Sequence, residues 1–132
     1  MEKKFINPDG MIRPGAYTPA ISVNGGRTVY VSGQVAQDGQ GRIVGQGDLL
    51  AQTQQVYKNL GIALAAADAS FNDVVKLNVY VVGYKPDNRA VLQSVREKYV
   101  NKDNPPASTL VGVQALARPE FLVEVEAVAV VG

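Results

Sequence analysis

A single apolar stripe between residues 48 and 67 constrains the fold of this chain most strongly. Asp48 can cap a helix in which apolar or small side chains recur at steps of three and four, namely Leu49, Thr53, Val56, Leu60, Ala63 and Ala67. Segments in which apolar and polar residues alternate, as they do in strands, lie on both sides of it, at residues 20–35 and 74–82. Because such a helix buries its stripe against a sheet, the pattern predicts an α/β (α+β) chain.

Two hairpins are predicted from the turn residues. In residues 20–35, the turn Asn24-Gly25-Gly26 separates two alternating segments, and its glycines accept positive φ. Residues 107–130 contain two more alternating segments around a turn at residues 114–120. A second, shorter helix precedes Pro105, since proline disfavours helix in the residue before it. The predicted order is β-β-α-β-α-β-β, with residues 1–132 as one domain.

This order predicts a single mixed sheet with both helices on one face. Two helices cover only that face, and the other face carries apolar residues mixed with Tyr30, Ser32, Asn78 and Tyr80. A partly apolar, uncovered face favours association between copies of the chain. We therefore expect a homo-oligomer.

Composition excludes several kinds of function. The chain has no cysteine and no histidine, so any catalysis must use carboxylate, hydroxyl, amine or backbone groups. Thirteen Lys and Arg against 12 Asp and Glu give a net charge of +1 with the signs scattered, which indicates neither a nucleic-acid nor a membrane partner. The lack of cysteine and histidine also excludes a Cys/His metal site, so we expect no metal. The first residues lack an apolar signal segment, so we expect a cytoplasmic location.

Two glutamates stand out in the last strand. Glu124 and Glu126 are two residues apart, so both side chains leave the same face of an otherwise apolar strand. Glu124 is interpreted as a site residue, whereas Glu126 is either a site residue or a charge on an edge strand. In the predicted hairpin, one face of the strand that begins near Ser108 lies beside them.

Other candidates allow two interpretations each. Ser108 is either a site residue or a small residue that begins a strand after the prolines, and the Tyr17 hydroxyl either faces a ligand or has a protein partner. Gly33 either lets a ligand approach the backbone or marks a bulge. The glycine-rich residues 39–47 lack the Lys and Ser/Thr of a phosphate loop, which excludes nucleotide binding there.

Five segments together resemble the RidA/YjgF family of imine deaminases. They are GAY (15–17), VYVSGQVA (29–36), FNDVVKLNVYV (71–81), PPAST (105–109) and FLVEVEAVAVV (121–131), in this order and spacing. The resemblance implies a chorismate-mutase-like fold and a homotrimer that binds small molecules in clefts between subunits. It also implies hydrolysis of reactive 2-imino and enamine acids to 2-keto acids and ammonia without a metal or cofactor.

The resemblance assigns site residues by position. Tyr17 and Ser32, which is followed by Gly33, match residues that line the family's cleft, and Gln93 stands where an asparagine is common. Glu124 matches the glutamate thought to position the catalytic water.

The chain departs from the family where the substrate carboxylate is held. Ser108 stands in place of the family's arginine, Leu110 in place of a frequent cysteine, and Gly112 in place of a frequent glutamate. Without that arginine we expect a neutral or acidic cleft, and hence a neutral or cationic imine as substrate. Arg13, four residues before Tyr17, remains a possible replacement.

Three functions follow from this comparison. The first is a cofactor-free hydrolase or deaminase of altered specificity that acts on an imine or enamine metabolite. The second is a non-catalytic trimer that binds a small metabolite. The third, a ribonuclease or translation inhibitor, is disfavoured by the near-neutral charge and the lack of histidine and of a basic aromatic surface.

Overall fold

The computed structural model describes residues 1–132. Its strands are β1 (Glu2–Ile6), β2 (Ala20–Asn24), β3 (Arg27–Gln34), β4 (Val74–Val82), β5 (Ala107–Val113) and β6 (Val123–Val131), and its helices are α1 (Leu49–Ala66) and α2 (Asn88–Arg96), with a short 3₁₀ turn at Phe71–Asp73. The predicted mixture of two helices and a mixed sheet is confirmed. The short strand β1 was not predicted.

The main sheet has four strands in the order β3-β6-β4-β5. The central strand β6 is antiparallel to both of its neighbours, and β4 and β5 are parallel. Both helices pack on one face of this sheet, as predicted, because their apolar residues and alternate residues of the strands form one core: Val56, Leu60, Leu64, Leu92, Val95, Leu77, Val79, Val81, Val123, Val125 and Ala127. The opposite face carries no helix.

The predicted hairpin in residues 20–35 is wrong in its pairing. β2 pairs with β1 in a separate two-stranded sheet, whereas β3 pairs with β6. Gly25 and Gly26 do adopt positive φ, at 80° and 83°, as expected. Their turn carries the chain from one sheet to the other, because the apolar side of β3 is buried against β6 and α1.

The predicted hairpin in residues 107–130 is also wrong. β4 lies between β5 and β6, and β5 joins it in parallel through the crossover that contains α2. In this arrangement the apolar side of α2 is buried against the sheet, through Leu92 and Val95. β5 is therefore an edge strand, as β3 is at the other side of the sheet, and β6 is not.

Helix α1 is fixed at its beginning by polar contacts. The Asp48 carboxylate accepts a hydrogen bond from the backbone N–H of Ala51 at 3.1 Å, which confirms the predicted cap. The buried Gln52 amide donates to the Glu120 carbonyl at 2.8 Å and accepts from the Leu122 N–H at 2.9 Å. These bonds tie α1 to the segment that leads into β6. Neither helix has the length and apolarity needed to cross a bilayer.

Candidate functional site

A cavity of about 340 Å³ lies between α2, β5 and the loop that precedes β2. Its lining residues are Ala16, Tyr17, Tyr57, Val79, Tyr84, Arg89, Leu92, Gln93, Arg96, Ser108 and Leu110. Four of the predicted site residues, Tyr17, Gln93, Ser108 and Leu110, therefore lie together in one cavity. Its volume is that of a site for a small molecule.

The parallel pairing of β4 and β5 explains why Ser108 and Leu110 line this cavity. Ser108 lies beside Leu77 and Leu110 beside Val79 in the register. Leu77 and Val79 belong to the core on the helix-covered face, so Ser108 and Leu110 share that face. Ser108 thus faces α2.

Tyr17 is placed by hydrogen bonds from its neighbour to the two prolines. The buried Thr18 hydroxyl donates to the Pro105 carbonyl at 2.6 Å, and the Thr18 N–H donates to the Pro106 carbonyl at 3.3 Å. The prolines therefore do more than begin β5. They hold the loop that carries Tyr17 against the start of that strand.

Arg96 occupies the cavity wall opposite Ser108. Its Nη1 donates to the Ser108 hydroxyl at 2.9 Å and its Nη2 to the Ala16 carbonyl at 2.9 Å. The side chain is buried, with 9% of its surface exposed. The sequence interpretation did not identify Arg96, although its position four residues after Leu92 puts it on the buried side of α2.

Within one chain the cavity is cationic, whereas the sequence predicted a neutral or acidic cleft. Arg89 and Arg96 line it, and no carboxylate does. Burial lowers the pKa of Arg96, and burial raises the pKa of Tyr57 to about 12. Arginine remains charged under all ordinary conditions. Arg13, considered as a replacement for the missing arginine, is not among the lining residues.

Glu124 lies on the opposite face of the sheet from Ser108. It pairs with Tyr80 of β4, whereas Ser108 pairs with Leu77, and Tyr80 and Leu77 point to opposite faces. Within one chain, the expected contact between Ser108 and Glu124 is therefore wrong, because the hairpin that implied it does not form. Glu124 lines no part of the cavity.

Ser32, Gly33 and Glu124 form a second group on β3 and β6. A Cβ atom on Gly33 would lie 2.7 Å from the Glu124 Cδ, so the glycine leaves room for this carboxylate. The register between Val31 and Gln34 is irregular, which confirms the bulge interpretation of Gly33. Ser32 is exposed, and its carbonyl accepts a hydrogen bond from the Gln34 side chain.

The two glutamates of β6 lie close together on the uncovered face. Burial and the neighbouring Glu126 raise the pKa of Glu124. The Tyr80 hydroxyl donates a hydrogen bond to the Glu126 carboxylate, and this bond raises the pKa of Tyr80. Because β6 is a central strand, the edge-strand interpretation of Glu126 is wrong.

The chain is a mixed α/β protein, and the cavity beside its edge strand β5 is large enough for a small molecule. The profile of the endoribonuclease L-PSP family matches residues 11–131. A RutC family protein of Pyrococcus abyssi is 34% identical over 130 residues, covering 98% of this chain and 98% of that protein. A mouse protein named 2-iminobutanoate/2-iminopropanoate deaminase is 35% identical over 118 residues, covering 89% of this chain and 83% of that one.

A solved structure is similar over the whole chain. It comes from Yersinia pestis, is described as a protein of unknown function of the conserved Rid family, and has 42% sequence identity with a TM-score of 0.88. The match covers 99% of this chain and 100% of that one. The chain therefore belongs to the RidA/YjgF family, whose profile carries the name endoribonuclease L-PSP.

Proposed function

We propose that the protein is a cofactor-free hydrolase that releases ammonia from an imine or enamine metabolite. The observation that carries this proposal is the convergence of Tyr17, Gln93, Ser108 and Leu110 in one cavity. The name of the mouse relative supports the reaction class. Ser108 offers a neutral hydroxyl where relatives have arginine, so the substrate is held differently and the preference among imines is altered.

The reaction needs a ligand site and a group that moves protons. Water adds to the imine carbon, the nitrogen gains a proton, and the resulting carbinolamine loses ammonia to leave a ketone. The cavity offers hydrogen-bond donors from Tyr17, Ser108 and Arg96, which can hold the substrate. A carboxylate is the natural group to activate the water, and Glu124 is assigned this role.

In this proposal Glu124 reaches the substrate from a second copy of the chain. Its position on the other face of the sheet excludes contact with the cavity of its own chain. A homotrimer with a ligand between neighbouring copies brings the two groups of residues together. The apolar exposure of Tyr30, Leu110 and Val111, which are 80%, 38% and 40% exposed, supports such an association.

Ammonia release from imines tests the proposal. The imines are generated in situ by an amino-acid oxidase or an amine oxidase, and ammonia release is followed with and without the protein. We expect faster release from at least one imine, and a slower reaction for Tyr17→Phe. Tyr99→Phe is the matched control, since Tyr99 packs against the core, stacked on Tyr57 and tilted against Phe71, and does not itself line the cavity. Release at the uncatalysed rate for every imine would refute the proposal.

A non-catalytic binding protein is the second candidate. It is favoured by the absence of any carboxylate among the residues that line the cavity. Saturable binding of the ketone product together with no acceleration of ammonia release would support this alternative over the hydrolase.

A further inference from the structure

Arg96 is a buried cation without an ionic partner. The salt bridges of the chain join Lys4 to Glu2, Arg42 to Asp38 and Arg118 to Glu120, and none involves Arg96. Its hydrogen-bond acceptors, the Ser108 hydroxyl and the Ala16 carbonyl, are both neutral. Removing a charge from water without a counter-ion is unfavourable, so this position favours the arrival of an anion.

The guanidinium also has unused donors. Arginine carries five N–H groups, and Arg96 uses one on Nη1 and one on Nη2. Its Nε is buried and has no hydrogen-bond partner. Buried donors are seldom left unpaired in native proteins. An acceptor that enters the cavity lies next to this side chain, because Arg96 is part of the cavity wall.

The rest of the cavity indicates which kind of anion fits. Val79, Leu92 and Leu110 give it apolar walls, and its volume is about 340 Å³. A planar carboxylate matches the fork of a guanidinium, and a short carbon chain matches apolar walls. Arg89, an exposed residue of the same cavity, adds positive charge.

We infer that Arg96 is the specificity-determining residue of the cavity and binds the carboxylate of a small ligand from helix α2. Ser108 is a positioning residue that fixes the guanidinium through its hydroxyl. The positive charge missing from β5 is thus supplied by the neighbouring helix. Arg96 has this role only if the cavity is the ligand site, which rests on the proposed function. Catalysis itself is not required.

Binding of pyruvate and of its neutral amide, pyruvamide, tests this role by calorimetry. We expect the wild type to bind pyruvate more tightly than pyruvamide. Arg96→Gln is expected to weaken pyruvate binding by about ten- to a hundredfold, the loss typical of a hydrogen-bonded charge, and to leave pyruvamide binding nearly unchanged. Arg96→Lys restores part of the preference. Arg118→Gln, outside the cavity, changes neither affinity.

A second measurement uses only the wild type once the Arg96 resonance has been assigned, so it does not depend on the folding of a variant. The side-chain Nε–H resonance of Arg96 in the wild type is followed by NMR during titration, and it should shift with pyruvate but not with pyruvamide. A purely structural Arg96 would affect stability without changing the preference for a carboxylate over an amide. Equal affinities for the two probes, undiminished pyruvate binding by Arg96→Gln, or no binding of pyruvate to the wild type would overturn the role. Pyruvate binding without ammonia release would leave it intact and count against the hydrolase alone.

Discussion

The guanidinium of Arg96 on α2 and the hydroxyl of Ser108 on β5 are joined by a hydrogen bond of 2.9 Å. Ser108 is the position on β5 at which the family has its arginine. The contact therefore joins that position to the arginine on α2. Positions 96 and 108 are therefore close enough that an arginine at either one puts its guanidinium in the same part of the cavity.

An exchange of the two side chains tests this relationship. Ser108→Arg alone puts a second guanidinium against Arg96, so we expect the free energy of unfolding to fall by about 1 to 3 kcal/mol from overpacking, with like-charge repulsion added. The double variant Ser108→Arg, Arg96→Ser removes both problems and is expected to recover stability and pyruvate binding. Denaturant unfolding and calorimetry measure the two effects. A double variant less stable than Ser108→Arg would show that the positions are not interchangeable.

Gly33→Ala tests the contact between Gly33 and Glu124. The added Cβ would lie 2.7 Å from the Glu124 Cδ, and the flexible carboxylate end has to move. We expect a loss of stability of about 1 kcal/mol or less, because a side chain moves more easily than backbone. Ammonia release is expected to fall much more than stability does. The matched variant is Gly39→Ala, where a Cβ meets no atom within 4 Å. Full activity in Gly33→Ala would show that Glu124 does not take part in catalysis.

Glu124→Gln is expected to change how stability depends on pH. Burial and Glu126 raise the pKa of Glu124 in the folded state, so the folded protein binds this proton more tightly than the unfolded chain. The wild type therefore loses stability as pH rises from the unfolded value of about 4.3 through the higher folded value. Glutamine does not titrate, so Glu124→Gln gains stability relative to the wild type above this window.

The size of this gain is limited by solvent. We expect about 1 kcal/mol or less at neutral pH and no gain near pH 3, measured by denaturant unfolding at both pH values. Glu97→Gln, at the exposed residue that directly follows α2, is the matched control. A gain in stability that is largest at acidic pH would contradict a raised pKa of Glu124 in the folded state.

Mixed oligomers test whether the site is shared between copies. Arg96→Gln and Glu124→Gln chains are each expected to have little activity. In a cyclic trimer of randomly mixed chains, about a quarter of the interfaces would pair an intact Arg96 with an intact Glu124. Co-expressed chains should then recover about a quarter of the wild-type activity. No recovery from mixed trimers, verified by mass spectrometry, would contradict a shared site.

The elements of the fold were predictable from local patterns, but their pairing was not. The cap at Asp48 and the stripe of α1 are encoded within a few residues and are confirmed. The partner of β2 depends on β1, whose charged segment Glu2–Ile6 gives little sign of a strand. The place of β5 depends on how α2 packs, which alternation within the strand does not reveal.

The site residues divide in the same way. Some could be identified from the sequence, whereas the role of Arg96 depends on contacts with distant parts of the chain. Tyr17 and Ser108 were candidates from the sequence, Gln93 and Leu110 were added by the resemblance, and the four meet in the cavity. Arg96 was missed because an arginine in a short helix is usually solvated. Its burial depends on contacts with Ser108 and Ala16, which come from distant parts of the chain.

The most direct measurement is kcat/KM for ammonia release from 2-iminopropanoate by the wild type and by Arg96→Gln. If this protein is an imine hydrolase whose carboxylate contact comes from α2, the wild type accelerates the release and Arg96→Gln lowers kcat/KM by about ten- to a hundredfold. Equal values for the two proteins, or a wild type that does not accelerate the reaction, would contradict this account.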